Sequence, residues 1–123
     1  MGVVIAVAVG GALGAVSRYA LSAGVTSILD VRGVGTFIVN VIGAFALGAI
    51  IGLTEEQWEL SEPVRAGVTI GLLGGFTTFS TYMYDVIYHA DDDRWMASLA
   101  FLSLTIGLGL VAMIGGLAAG RSA

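Results

Sequence analysis

The chain has no cysteine and no lysine, a single histidine and a single proline. Without cysteine, disulfides and thiolate metal centres are excluded. With His89 alone, a histidine-based metal cluster lacks ligands. The five basic residues are all arginines, scattered along the chain, so there is no polybasic patch and no nucleic-acid partner is expected. Charged residues make up 11% of the sequence, less than half of the ~25% usual for soluble domains. No nucleophile, base and oxyanion donors occur together, so the chain is not expected to be an enzyme.

What fills the sequence instead is apolar. Of the 123 residues, 57% are hydrophobic, and the mean hydropathy is +0.95. A water-soluble fold of this size could not hide that much apolar surface, whereas a lipid bilayer accepts it. A membrane helix needs about 20 mostly apolar residues, and the sequence predicts four such spans, over about 3–28, 35–53, 64–88 and 94–119. The first begins without a basic region and continues past Arg18, so it reads as a span and not as a removable signal. Between the spans lie a short turn, Asp30 to Gly33, and two acidic loops, Thr54 to Pro63 and His89 to Asp93. Pro63 suits a helix start, and Asp93 is the expected N-cap of the last helix. The expected fold is all-α, a single transmembrane four-helix domain over residues 1–123 in membrane lipid.

Glycines recur four apart: Gly10 and Gly14, Gly48 and Gly52, Gly67 and Gly71, Gly71 and Gly75, Gly116 and Gly120. Such pairs let helices approach closely in lipid. Four short helices cannot easily enclose a path alone, which points to an oligomer. The positive-inside rule gives no orientation. Arg65 and Arg121 fall on one side and Arg32 and Arg94 on the other, with Arg18 inside the first span. That balance fits either a failure of the rule or a protein that inserts both ways and pairs antiparallel.

Polar groups inside a span are costly and point to function. Asn40, midway along the second span, offers either an interhelical hydrogen bond or two donors to an anion path. Arg18 either reaches the interface or supplies a fixed positive charge at the mouth of such a path. The densest cluster runs from Gly74 to Tyr82, GGFTTFSTY. Paired glycines followed by paired threonines make a poor helix interior, so a break is expected over Gly74 to Thr78. Backbone freed at membrane depth must line a cavity or be buried in protein. Its carbonyls would suit a cation and its N–H groups and hydroxyls an anion. Phe79 and Tyr82, three residues apart, share a helix face, either packing together or presenting positive ring edges to an anion. Asp85, near the end of this span, reads as a residue that caps the helix or faces water near the membrane surface, and not as a proton relay.

Three segments resemble the signatures of the CrcB/Fluc family of fluoride channels: GGALGAVSRY from Gly10 to Tyr19, GTFIVNVIG from Gly35 to Gly43, and GGFTTFSTY from Gly74 to Tyr82. The resemblance covers essentially the whole chain in order, spacing and length. It implies a passive fluoride channel in a prokaryotic plasma membrane. It also implies an antiparallel dual-topology dimer with a broken third helix, two pores along the subunit interfaces and a central Na⁺. By motif position, the backbone carbonyls of Gly74 and Thr77 would hold the sodium. The fluoride pathway would fall on Asn40, Phe79, Tyr82, Ser80, Thr81, Thr105 and Arg18. Position 82 departs from the family's usual phenylalanine. Some members work as heterodimers, so a partner-dependent or non-conducting subunit is an alternative reading. An exporter of the small multidrug type is another, disfavoured because the centres of the spans lack a carboxylate.

Overall fold

A computed structural model of the chain describes residues 1–56, 58–91 and 93–123; Gln57 and Asp92, which the sequence places in the two acidic loops, lie outside the described residues. In an apolar solvent every backbone N–H and C=O must be satisfied within its own segment, and a helix does this. The first helix, α1, spans Gly2–Leu29. It stops at Asp30, which turns left-handed (φ 49°) and gives its N–H to the Thr26 carbonyl at 2.9 Å. Gly33, at φ 84°, completes the turn in a conformation that glycine adopts without a steric penalty, and α2 follows as Val34–Glu56. The next helix opens as α3, Glu62–Ala66, with Pro63 in its first turn, where a missing N–H costs nothing. It winds through a π-helical stretch, Gly67–Leu73, and a short α4, Gly74–Phe76. Thr77 is extended (φ −83°, ψ 159°). Helix resumes as α5, Ser80–Asp91, and the chain closes with α6, Trp95–Ser122. Three of these helices, α1, α2 and α6, are long and apolar enough to cross a membrane.

Two expectations about the last turn need correction. Helix α5 runs on to Asp91, so His89 is a buried helical residue and not part of a loop. Asp93 is left-handed (φ 57°), and the N-cap position of α6 is Arg94, which makes no side-chain capping bond.

The helices pack as two pairs, α2 along α6 and α1 along the rod formed by α3, the π stretch and α4. Glycine makes both seams. A Cβ on Gly10 or Gly14 would run into the carbonyls of Gly67 or Leu72. From the other side, one on Gly71 or Gly75 would crowd those of Val7 or Gly11. On the second seam Gly116 and Gly120 face the Phe45 and Ala49 carbonyls, and Gly48 and Gly52 face those of Met113 and Leu117. Backbone thus lies on backbone, the packing that works in lipid, where apolar side chains gain nothing by leaving it. The corollary is a sparse interior. Among the described residues, Val39, Leu73, Tyr82 and Ala90 are the buried hydrophobic ones, while many large apolar side chains on all the long helices point outward.

Candidate functional site

The interruption after Phe76 frees backbone groups that a continuous helix would pair, and Asn40 on the neighbouring α2 takes up those of Thr78. The Thr78 N–H, which would otherwise reach back to the Gly74 carbonyl, donates instead to Asn40 Oδ1 at 2.8 Å. Asn40 Nδ2 donates in turn to the Thr78 carbonyl at 2.9 Å. One side-chain amide from α2 thereby stands in for a peptide group and braces the gap. Thr78 Oγ1 accepts from the Thr81 N–H at 3.3 Å and donates to Thr81 Oγ1 at 3.2 Å, which helps start α5. Threonine serves such helix starts because its hydroxyl reaches an unpaired N–H of the first turn. Thr77 keeps its own N–H and hydroxyl on the Leu73 carbonyl, at 3.0 and 2.9 Å. Its carbonyl faces Arg18 Nη1 at a long 3.5 Å.

These residues line two open clefts. One, of about 620 Å³, is walled by Asn40, Gly74, Thr77, Phe79, Tyr82 and Thr105 among others. The second, of about 410 Å³, includes Arg18, Thr36, Thr78 and Thr81. Of the residues singled out in the sequence, six therefore share the first cleft and Arg18 and Thr81 share the second. Ser80 is exposed at the start of α5. Phe79 is 74% exposed and Tyr82 is buried at 4%. Their rings meet edge-on, with centroids 6.3 Å apart and planes at 66°. The Tyr82 phenol donates to the Leu102 carbonyl on α6 at 2.7 Å, and its ring lies 5.4 Å from that of Phe101. The single phenolic proton is thus committed to the protein. The Thr105 hydroxyl, also buried, donates to the Phe101 carbonyl at 2.8 Å.

Asp85 does not face water. It is 5% exposed, accepts from Thr36 Oγ1 at 2.8 Å and lies 3.4 Å from Arg32 Nε. Thr36 and Arg32 were not singled out by the sequence reading as site residues. A usable signal was present for Thr36, which precedes Asn40 by four residues and so shares its helix face. Nothing in the sequence pairs Arg32 with Asp85.

Among the described residues no group of His, Cys, Asp and Glu could hold a metal ion. Neutral oxygens, from backbone carbonyls, threonine hydroxyls and the Asn40 amide, are the cation ligands available near the interruption. The Gly74 carbonyl is released by the diversion of the Thr78 N–H, while the Thr77 carbonyl, on an extended residue, already faces Arg18 Nη1.

Residues 5–117 match the family described as "CrcB-like protein, Camphor Resistance (CrcB)". The chain belongs to this family. It is 39% identical over 123 residues to a "Fluoride-specific ion channel FluC" of Geobacter sulfurreducens, covering 98% of each chain. It is 44% identical over 116 residues to a protein of the same name from Methanopyrus kandleri, covering 93% of this chain and 86% of the relative. The "Fluoride-specific ion channel FluC 2" of Symbiobacterium thermophilum is 40% identical over 108 residues, 87% of this chain and 88% of the relative. The CrcB family is one of ion channels and not of enzymes. Its bacterial and archaeal members, together with the three long apolar helices, make this chain a multi-pass prokaryotic membrane protein.

Proposed function

We propose that this chain forms a passive, fluoride-selective channel that lets cytoplasmic fluoride leave the cell. The observation that carries the reading is the Asn40 brace across the Phe76–Ser80 interruption, in a chain whose relatives are named fluoride channels. Fluoride crosses a membrane as the neutral acid and is trapped as the anion at neutral internal pH, so a pore with no energy input suffices to release it. The anion is small and tightly held by water. A pore must replace that water with donors, and with several weak sites, so that the ion can leave. Asn40 keeps one amide hydrogen beyond the bond to Thr78. The hydroxyls of Ser80 and Thr81 are exposed at the start of α5. The edges of Phe79 and Tyr82 carry the positive side of the ring quadrupole. Arg18 adds a fixed positive charge, and Thr105 extends the polar line on α6.

The finer architecture belongs to the same proposal: a third span broken at the interruption, in an antiparallel dual-topology dimer. Phe79, Ser80 and Thr81 are open to the outside of a single chain, so a partner is needed to close a path over them. The evenly split arginines suit a chain that inserts in both directions. At the centre of such a dimer the Gly74 and Thr77 carbonyls would hold a Na⁺, which supplies positive charge between the subunits. A homodimer is the simplest assembly. A heterodimer is the second reading, kept by the numeral in the name of the Symbiobacterium relative and by Tyr82, whose hydroxyl is tied to Leu102.

The test is fluoride efflux from liposomes containing this chain alone, with chloride as the control. Selective passive efflux is expected. A folded dimer that passes no fluoride would refute the homodimeric channel and direct the search to a second, divergent subunit.

A further inference from the structure

Asp85 follows Tyr82 by three residues on α5, and Thr36 precedes Asn40 by four on α2. Their hydrogen bond, 2.8 Å long, therefore lies about one helical turn, roughly 5 Å, beyond the level of Asn40 and Tyr82. Thr36 also lines the cleft that holds Arg18, Thr78 and Thr81. A carboxylate there without a counter-charge would oppose any anion at that level, because partial burial weakens the screening that water provides. Arg32 stands against it, with Nε 3.4 Å from Oδ1.

Arg32 is held by several contacts although its side chain is 40% exposed. Its guanidinium carbon lies 3.8 Å from the centroid of the Tyr88 ring and 4.9 Å from that of Tyr84. Its carbonyl is bonded by His89 Nε2 at 3.2 Å. Because a carbonyl only accepts, Nε2 carries the proton; Nδ1 is buried with no partner among the described residues. The next residue, Gly33, has a φ of 84°, and the Phe101 ring occupies the space a side chain would need. An arginine that served only the surface would need none of these contacts.

We propose that Arg32 is the counter-charge that makes this end of the pathway passable to an anion, and that Tyr84, Tyr88 and His89 keep it on Asp85. Arg32 is a positioning and charge-compensating residue, and it does not itself bind the ion. The inference rests on the fluoride-channel reading.

The test compares fluoride efflux from liposomes for the wild-type chain, Arg32→Gln, Arg32→Lys, the double variant Arg32→Gln with Asp85→Asn, and Arg121→Gln. Arg121 pairs with Glu55 at 2.9 and 3.0 Å in an exposed contact at the other end of α2, so its loss controls for net charge. Arg32→Gln is expected to lower flux about tenfold or more. Arg32→Lys keeps the charge and is expected to stay within about threefold of wild type, and the double variant should recover most of the loss. Arg121→Gln is expected to change flux less than about twofold. Normal flux in Arg32→Gln overturns the proposal. So does a double variant no better than Arg32→Gln, a lysine variant as poor as the glutamine one, or an equal loss in Arg121→Gln. A wild-type chain that passes no fluoride on its own overturns the homodimeric channel reading, and with it this inference, an outcome separate from the others.

Discussion

Asn40→Asp alters one atom and reverses the chemistry of the brace. The aspartate can still accept from the Thr78 N–H, but it has no donor for the Thr78 carbonyl that Asn40 Nδ2 now reaches at 2.9 Å. It also places a negative charge beside the proposed anion path. The unpaired carbonyl costs about 1–3 kcal/mol, and fluoride flux is expected to fall to near background. Normal efflux from a folded Asn40→Asp protein would remove Asn40 from the path and leave it only the bracing role. Tyr82→Phe is the complementary change. It deletes the bond to the Leu102 carbonyl, worth about 1 kcal/mol, and removes a hydroxyl whose proton was already committed. Flux is expected to be retained or raised, with a modest loss of thermal stability. Complete loss of flux would give the phenol a role beyond fixing the ring. At this scale the sequence was informative about which residues are unusual and silent about their partners. Asn40 stands out as an amide in an apolar run, but its bonding to Thr78 depends on how close α2 comes to the interruption. Asp85 read as a water-facing residue because its burial is set by Thr36 and Arg32, far from it in the chain.

Elements are held by glycine seams, and a single methyl group tests them. Gly116→Ala would drive a Cβ into the Phe45 carbonyl on α2, an overpacking that costs about 1–3 kcal/mol. Gly107 lies on the same helix with nothing within 4 Å of its Cβ position. There, alanine improves helix propensity by up to about 1 kcal/mol. Thermal unfolding in detergent should therefore show Gly116→Ala less stable than wild type and Gly107→Ala equal or more stable. A dimer weakened by Gly107→Ala would instead place that face of α6 against a partner. The all-helical, membrane-spanning character was legible in the hydropathy, since long apolar runs with few charges leave the chain few other choices. The glycine pairs marked the close approaches, and the structure shows which helix meets which. The π winding of Gly67–Leu73 had no local signal. Whether a segment shifts its hydrogen bonds by one residue is decided by its neighbours, here α1 packed along the whole stretch. The cap at Asp93 failed for a similar reason: Asp93 is left-handed, which hands the N-cap position to Arg94.

The whole molecule poses the question of sidedness, and the lack of cysteine makes it measurable. Any single cysteine introduced into this chain is the only thiol present. Val31 is exposed in the turn between α1 and α2, and Ser61 is exposed just before α3, at the opposite end of α2. In a chain of fixed orientation these positions face opposite compartments. Val31→Cys would then react with an impermeant thiol reagent from one side of sealed vesicles and Ser61→Cys from the other. In a dual-topology population each variant is expected to react to about half from outside and to completion only after the membrane is opened. The expectation follows from charge: with Arg65 and Arg121 on one side and Arg32 and Arg94 on the other, neither orientation gains from the positive-inside bias. Two of these arginines are also drawn into pairs with acids, Arg32 with Asp85 and Arg121 with Glu55. Such pairing does not restore an asymmetry, because one pair sits at each end of α2. Strengthening one side should break the balance. Adding two lysines near the C-terminus is expected to bias labelling strongly to one orientation. If orientation alone is biased, flux from that protein should collapse, since an antiparallel dimer needs both orientations. Undiminished flux from a uniformly oriented population would show that the conducting unit is not antiparallel.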